Sequence, residues 1–290
     1  MLRWLALLLF LPLSATAAFA AEFSSERIGV EVRGAGPDVV LIPGLSSSPE
    51  VWETTVAALP GHRFHLVHVS GFAGRPVGAN AEGPVVAPVA EEIARYIREA
   101  GLERPALVGH SLGGFWSMMI AARHPGLVSR IMVVDMLPFL GAMFGGPAAT
   151  PESGRPMAEQ LRQAIASADD DTRRAQAEQT IATMVRTESL RPAAVAHTMA
   201  SDAAVSGQAM HDLIITDLRP ELGAIAVPFT VLWVHPPNAP VTPEQMASFY
   251  SASYANAPQA TVTRVPDAYH FIMWDEPEAF QAALRAFLAG

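Results

Sequence analysis

The chain has 290 residues, of which 50% are hydrophobic and 16% are charged, and this composition excludes a disordered chain. Its 19 basic and 28 acidic residues give a net charge of −9, which argues against a broad nucleic-acid-binding surface. Every basic residue is Arg and no Cys is present. A lysine Schiff base, a disulfide, a thiolate metal site and a cysteine nucleophile are therefore all excluded.

The first twenty residues have the pattern of a secretory signal peptide. Arg3 precedes an apolar run over residues 4–13, and the small residues Ala18 and Ala20 form a cleavage site. Such a run is too short for a permanent membrane span. We therefore expect residues 1–20 to be removed from a periplasmic or secreted protein that keeps no stable membrane anchor. An uncleaved N-terminal anchor is the alternative interpretation.

Short apolar runs that stop at glycine, proline or serine predict the strands of a sheet. Continuous rather than alternating runs are typical of parallel strands that are buried on both faces. The predicted strands are 27–32, 39–42, 64–69, 106–108, 131–134, 228–234 and 261–265. The predicted helices among them are 91–100, 115–123, one that begins at Pro243, and 277–288. This alternation predicts an α/β fold with a mostly parallel sheet flanked by helices.

The pattern changes between residues 136 and about 222, where no strand is predicted. Helical spacing over 157–168, 172–186, 192–205 and 208–218 predicts a helical cap inserted into a single domain, residues 21–290. Six of the twelve Met residues lie in this cap. Because Met side chains are adaptable and apolar, they favour an apolar acyl or alkyl group as ligand, although they can equally pack the cap helices together. The candidate pocket residues are Met136, Phe139, Met143, Phe144 and His235.

Residues 109–114, with the sequence GHSLGG, contain the motif G-x-S-x-G between a predicted strand and a predicted helix. A serine on such a tight turn adopts a strained backbone, and small residues on either side let the chain pack closely enough. Its hydroxyl then projects from the carboxyl edge of the sheet. The amide of Leu112, at the helix start, is placed to stabilise an oxyanion. An ordinary glycine-rich turn is the alternative.

With this motif the chain resembles the α/β-hydrolase family from about residue 27 to the C-terminus. The other segments that carry the resemblance are 39–46 (VVLIPGLS), 71–75 (GFAGR) and 219–233 (RPELGAIAVPFTVLW). The resemblance implies that Ser111 is the nucleophile and that no cofactor is needed. It also implies an oxyanion hole made by the amides of Leu112 and Leu45, with Pro43 in place of the usual His.

Nine histidines are candidates for the general base. His62, His65 and His68 have a spacing of three near a strand, so neighbours face opposite sides and cannot form a three-His metal site; no metal site is expected elsewhere. His270 follows the last predicted strand, within VPDAYHF at 265–271. The resemblance implies that His270 takes the proton of Ser111.

The catalytic acid departs from the usual family pattern. Most relatives carry it in the loop that corresponds to residues 234–240, which here contains no Asp or Glu and offers only Asn238. A second family position is the end of the strand after the elbow helix, which implies Asp135. The alternative role of Asp135 is to cap a turn. Asp267 is too close to His270 in sequence, and Asp275 and Glu276 are interpreted as charges at the start of the last helix.

These residues predict an exported serine hydrolase that cleaves a small-molecule carboxylic ester through an acyl-enzyme, with Ser111, His270 and Asp135 as catalytic residues. Cleavage of an amide, thioester, lactone or carbon–carbon bond is a second possibility. A non-catalytic ligand-binding member of the fold is a third possibility, because the loop that usually carries the acid contains no Asp or Glu.

Overall fold

The computed structural model describes residues 23–236 and 239–290. The predicted signal peptide, residues 1–20, and Asn238 therefore lie outside the described residues. Among the helices of the described part, none is long and apolar enough to cross a membrane.

The described residues contain one seven-stranded sheet. Its strands are β1 (Ile28–Gly34), β2 (Asp38–Ile42), β3 (Arg63–Val69), β4 (Ala106–His110), β5 (Arg130–Val134), β6 (Phe229–Trp233) and β7 (Ala260–Arg264). Their order across the sheet is β1-β3-β2-β4-β5-β6-β7, and only the pair β1 and β3 is antiparallel. The predicted mostly parallel sheet is confirmed.

The strand order creates a crevice at one edge of the sheet. The next strand in the chain, β3, lies on one side of β2, whereas β4 lies on the other side of β2. At such a reversal the connections leave in opposite directions, so a crevice opens at the carboxyl ends of the two strands. Residues 39–42 and 131–134 are almost fully buried, as their continuous apolar runs predicted.

Helices cover both faces of the sheet. In chain order they are α1 (Glu53–Ala58), α2 (Val86–Glu99), α3 (Leu112–Arg123), α4 (Ala142–Gly145), α5 (Pro151–Ser167), α6 (Asp170–Met184), α7 (Arg191–Ala200), α8 (Ala203–Ile215), α9 (Pro243–Ser253), α10 (Ile272–Asp275) and α11 (Pro277–Ala289). One apolar core joins the sheet to α2, α3 and α9, and a second joins it to α1, α10 and α11.

Helices α4–α8, residues 142–215, lie between β5 and β6 and are called the helical insertion below. Gly207 lets α8 approach α5, because a Cβ there would lie 2.7 Å from the carbonyl oxygen of Arg162. The buried carboxylate of Asp212 in α8 accepts hydrogen bonds from the amides of Val85 and Val86 at the start of α2 (2.6 and 3.2 Å). These bonds join the insertion to a helix of the core.

Two predicted helix boundaries inside the insertion are wrong, and side-chain capping explains both. The predicted helix 192–205 ends at Ala200, because Asp202 accepts a hydrogen bond from the amide of Val205 (2.9 Å) and so starts a new helix. The predicted helix 157–168 begins earlier, at Pro151, where Thr150 and Ser153 form a reciprocal capping box.

Candidate active site

Ser111 occupies a sharp turn between β4 and α3. Its backbone has φ 53° and ψ −123°, a conformation that costs energy for any residue with a Cβ. The flanking glycines make the turn possible. A Cβ at Gly109 would clash with the carbonyl oxygen of Gly113, and one at Gly113 would clash with that of Ile42. The strained turn thus places Ser111 at the carboxyl end of β4, beside the crevice.

His270 and Asp135 are hydrogen-bonded, although 135 residues separate them in the chain. The Nδ1–H of His270 donates to Oδ2 of Asp135 over 2.7 Å, and the two side chains are 21% and 10% exposed. Asp135 follows β5 directly and has φ 52°. A partly buried carboxylate in this position selects the imidazole tautomer that carries its proton on Nδ1. Nε2 is then left as a proton acceptor.

The second carboxylate oxygen of Asp135 has donors of its own. Oδ1 accepts hydrogen bonds from the hydroxyl of Tyr250 in α9 (2.9 Å) and from the amide of Val234 after β6 (3.2 Å). Both oxygens of a largely buried charge are therefore satisfied, which offsets part of the cost of its burial.

His110, the residue before Ser111, joins the His270 segment to the turn. Its Nε2–H donates to the carbonyl oxygen of His270 (3.0 Å), and the two ring centroids are 4.6 Å apart. Burial, reinforced by the neighbouring His270, holds the pKa of His110 well below its usual value, so this ring stays neutral. His110 thereby holds the loop of His270 against the strand end that carries Ser111.

The loop after β2 approaches Ser111 from the other side of the crevice. A Cβ on Gly44 would lie only 3.0 Å from Cβ of Ser111. Within residues 23–236 and 239–290, no backbone or side-chain group accepts a hydrogen bond from the amides of Leu45 and Leu112. Two free amides on neighbouring strand ends are what stabilisation of an oxyanion requires.

The helical insertion supports this loop. The hydroxyls of Ser46 and Ser206 are 2.8 Å apart and buried. The hydroxyl of Ser201 donates to the carbonyl oxygen of His197 (2.8 Å), and its Oγ lies 3.3 Å from the carbonyl oxygen of Ser46. Ser46 itself has φ 54°. Because Ser46 follows Leu45 directly, these contacts from the insertion constrain the peptide next to the free amide.

The predicted pocket residues have different surroundings. Met136 is buried beside the turn, with its Cβ 3.5 Å from the place that a Cβ on Gly114 would occupy. Phe139 is buried in a small separate cluster, where the guanidinium of Arg219 lies 4.6 Å from its ring centroid. Met143 and Phe144 are 60% and 52% exposed. His235 donates from Nε2 to the carbonyl oxygen of Val241 (2.7 Å). Of the five, these contacts connect only Met136 to the turn.

The prediction that Asp275 is a charge at the start of the last helix is wrong. Its buried carboxylate instead accepts hydrogen bonds from the amides of Tyr269 (2.9 Å), Arg186 (3.0 Å) and Thr187 (2.9 Å). The last two donors follow α6 in the helical insertion, so Asp275 joins the insertion to the residue before His270. No local pattern could indicate this role, since two of its three donors lie almost ninety residues away.

No group of three His, Asp or Glu side chains within the described residues is arranged to hold a metal ion. His65 lies between the carboxylate of Asp38, at the start of β2, and the hydroxyl of Tyr96 in α2, whereas Ser111 follows the end of β4.

The chain is similar to known proteins over most of its length. A family model for the alpha/beta hydrolase fold matches residues 37–277. The pimeloyl-(acyl-carrier protein) methyl ester esterase of Edwardsiella ictaluri is 32% identical over 265 residues, which are 89% of this chain and 95% of the relative. A protein of Yersinia enterocolitica named as a carbamate hydrolase, RutD, is 33% identical over 107 residues, only 38% of that relative's length. A hydrolase structure from Pseudomonas aeruginosa PA01 has a TM-score of 0.75 at 20% identity and covers 91% of this chain and 94% of its own.

Proposed function

Because the chain belongs to the alpha/beta hydrolase fold family, we propose that it is an exported serine hydrolase that cleaves a carboxylic ester through an acyl-enzyme. One observation carries the proposal: Asp135 is hydrogen-bonded to Nδ1 of His270, whose segment packs through His110 against the strained turn of Ser111. A nucleophile, a base and an orienting carboxylate are the parts that acyl transfer needs.

In the first half of the reaction, Oγ of Ser111 attacks the ester carbonyl carbon while Nε2 of His270 takes the hydroxyl proton. Asp135 stabilises the resulting imidazolium through its hydrogen bond to Nδ1. The amides of Leu45 and Leu112 bind the oxygen that becomes negative. The bond to the alkoxy group then breaks, and His270 delivers its proton to the leaving alcohol.

In the second half, water replaces the alcohol. His270 removes a proton from a water molecule, whose oxygen attacks the acyl carbon bound to Ser111. The tetrahedral intermediate is held by the same two amides. Its collapse breaks the bond to Oγ, returns the proton from His270 to Ser111 and releases the carboxylic acid.

Two observations support an ester with an apolar acyl or alkyl group. The relative from Edwardsiella ictaluri, which aligns over 89% of this chain, is named as a methyl ester esterase. The Cβ of Met136 lies beside Gly114, in the first turn of the helix that follows Ser111, and a polarizable apolar residue at this place favours a hydrophobic substrate. Export is supported by the signal-peptide pattern of residues 1–20.

The test combines active-site labelling with substrate profiling. We expect a fluorophosphonate to modify Ser111, identified by peptide mass spectrometry, and a series of chromogenic esters of graded acyl length to be hydrolysed. Ser111→Ala should abolish the labelling. Its matched control is Ser248→Ala, which removes an exposed hydroxyl in α9 and should be labelled like the parent protein. Labelling without ester turnover would contradict the ester assignment in favour of an amide, thioester, lactone or carbon–carbon substrate. Absence of labelling would favour a ligand-binding protein.

A further inference from the structure

We propose that Tyr250 is a positioning residue that fixes the Asp135 carboxylate so that one of its oxygens faces His270. The inference rests on the proposed function, since it assigns Tyr250 a task toward Ser111, His270 and Asp135. Tyr250 itself does not touch the reacting atoms.

The two carboxylate oxygens of Asp135 have different hydrogen-bond donors. Oδ1 accepts from the Tyr250 hydroxyl (2.9 Å) and from the Val234 amide (3.2 Å), whereas Oδ2 accepts from Nδ1 of His270 (2.7 Å). The terminal torsion of an Asp side chain is broad and soft. Two donors on one oxygen restrict this torsion and hold the other oxygen toward the imidazole. The Val234 amide alone would make a single, longer bond.

The side chain of Tyr250 is held rigidly by its neighbours. Its side chain is buried, and its ring stacks on that of Trp233 at the end of β6, with centroids 5.0 Å apart and planes inclined by 21°. Burial, together with the nearby charge of Asp135, raises the pKa of Tyr250 well above its usual value. The phenol therefore stays protonated at neutral pH and remains a donor.

Few other ionisable groups face this pair. His110 packs against His270 from the end of β4 and stays neutral, since burial keeps its pKa low. Tyr254, which follows α9, also stays protonated, because burial and Asp135 raise its pKa, and its hydroxyl donates to the carbonyl oxygen of Met136. On the His270 segment, Asp275 binds the amide of Tyr269. A pH effect of changing Tyr250 therefore acts through Asp135 and His270.

The sign of that effect follows from hydrogen bonding. A donor on Oδ1 withdraws charge from the carboxylate, and its removal makes the carboxylate a better partner for the imidazolium. The imidazole is then protonated at a higher pH. Because the base must be neutral to accept the Ser111 proton, the acidic limb of kcat/KM moves to higher pH. The maximal kcat falls as well, because the carboxylate is less well oriented.

The experiment compares Tyr250→Phe with Tyr254→Phe, two buried tyrosines four residues apart that each lose one hydroxyl. For Tyr250→Phe we expect kcat to fall about tenfold, the loss of one hydrogen bond to a charged group, with KM nearly constant. The acidic limb should move up by about half a pH unit. Tyr254→Phe should lose comparable thermal stability but keep the midpoint of that limb. Equal pH profiles and equal kcat for the two variants would overturn the proposal.

A second variant strengthens the hydrogen bond from residue 250 to Asp135 instead of removing it, and it preserves the shape of the side chain. 3-Fluorotyrosine placed at position 250 has a more acidic phenol and is a stronger donor, so the acidic limb should move to lower pH. An unchanged limb would contradict the role of Tyr250 even if Tyr250→Phe did not fold. Failure of the proposed function is recognised separately, because Ser111 would then resist the fluorophosphonate in the parent protein.

Discussion

The carboxylate of Asp135, at the end of β5, accepts a hydrogen bond from the amide of Val234, at the end of the neighbouring strand β6. The end of β6, which precedes the loop where the family resemblance would place the acid, thus contributes a backbone donor to the carboxylate of Asp135 on the neighbouring strand. An acid at either strand end can reach the same imidazole, because adjacent parallel strands end about 5 Å apart.

Replacing Asp135 by Asn should reduce kcat by about 10³–10⁴-fold with little change in KM. The amide carries no charge to stabilise the imidazolium and can offer its NH₂ to the imidazole, which favours the wrong tautomer. Steady-state kinetics with one chromogenic ester measures the loss. Asp267→Asn, near His270 in sequence, is the control and should stay within about fivefold. The reverse order of the two losses would assign the acid to Asp267.

Replacing Ser111 by Ala should leave a folded protein that has lost about 10⁶ in kcat, the loss measured when the nucleophile of a catalytic triad is removed. Circular dichroism and thermal unfolding establish that the variant is folded. Residual hydrolysis within about tenfold of the parent would exclude a covalent intermediate on Ser111.

Asp275→Asn should both destabilise the protein and reduce activity. The Asn amide group would face backbone donors now bound by the carboxylate, at an expected cost of about 2–3 kcal/mol in the free energy of unfolding. Activity should fall because the amide of Tyr269, next to His270, loses its acceptor. Denaturant titration and kinetics give the two quantities. Glu276→Gln breaks only a partly exposed ion pair with Arg186 and should cost less than about 1 kcal/mol. Comparable losses for both variants would contradict the assigned role.

Stability should decrease as the pH falls from about 7 to about 5. Burial lowers the pKa of His65, His68 and His110 in the folded protein, whereas the pKa of a histidine in the unfolded chain is about 6.5. Below that pH the unfolded state binds more protons, so the free energy of unfolding drops. Urea unfolding at several pH values measures the slope. His110→Gln, which keeps a donor but cannot titrate, should flatten it; an unchanged slope would exclude His110 as a contributor.

We predict that the protein is exported and that its mature form begins near Ala21, which intact-mass spectrometry of the periplasmic or secreted fraction would establish. The prediction depends on the apolar run and the small residues at positions 18 and 20. Recovery of the chain in the membrane fraction with Met1 still attached would favour an uncleaved anchor instead.

Local patterns in the sequence were sufficient to predict the sheet and the turn of Ser111. Continuous apolar runs such as 39–42 and 131–134 predict buried parallel strands because every side chain in them must avoid water. Gly109 indicates the strained turn of Ser111 because a Cβ there would clash with the carbonyl oxygen of Gly113, four residues further along the chain. Both signals are contained within a few neighbouring residues, so no tertiary contact is needed to recognise them.

Only the tertiary structure decided which groups surround the candidate acid and base. The partners of Asp135 are His270, Tyr250 and Val234, which lie 135, 115 and 99 residues away in the chain. Asp275 likewise binds amides of the distant helical insertion rather than the start of its own helix. A hydrogen bond forms only when the fold brings donor and acceptor to within a few tenths of an ångström of their optimal separation. Sequence spacing can identify such residues as candidates, but the packing of the strand ends and the insertion determines which of them form hydrogen bonds.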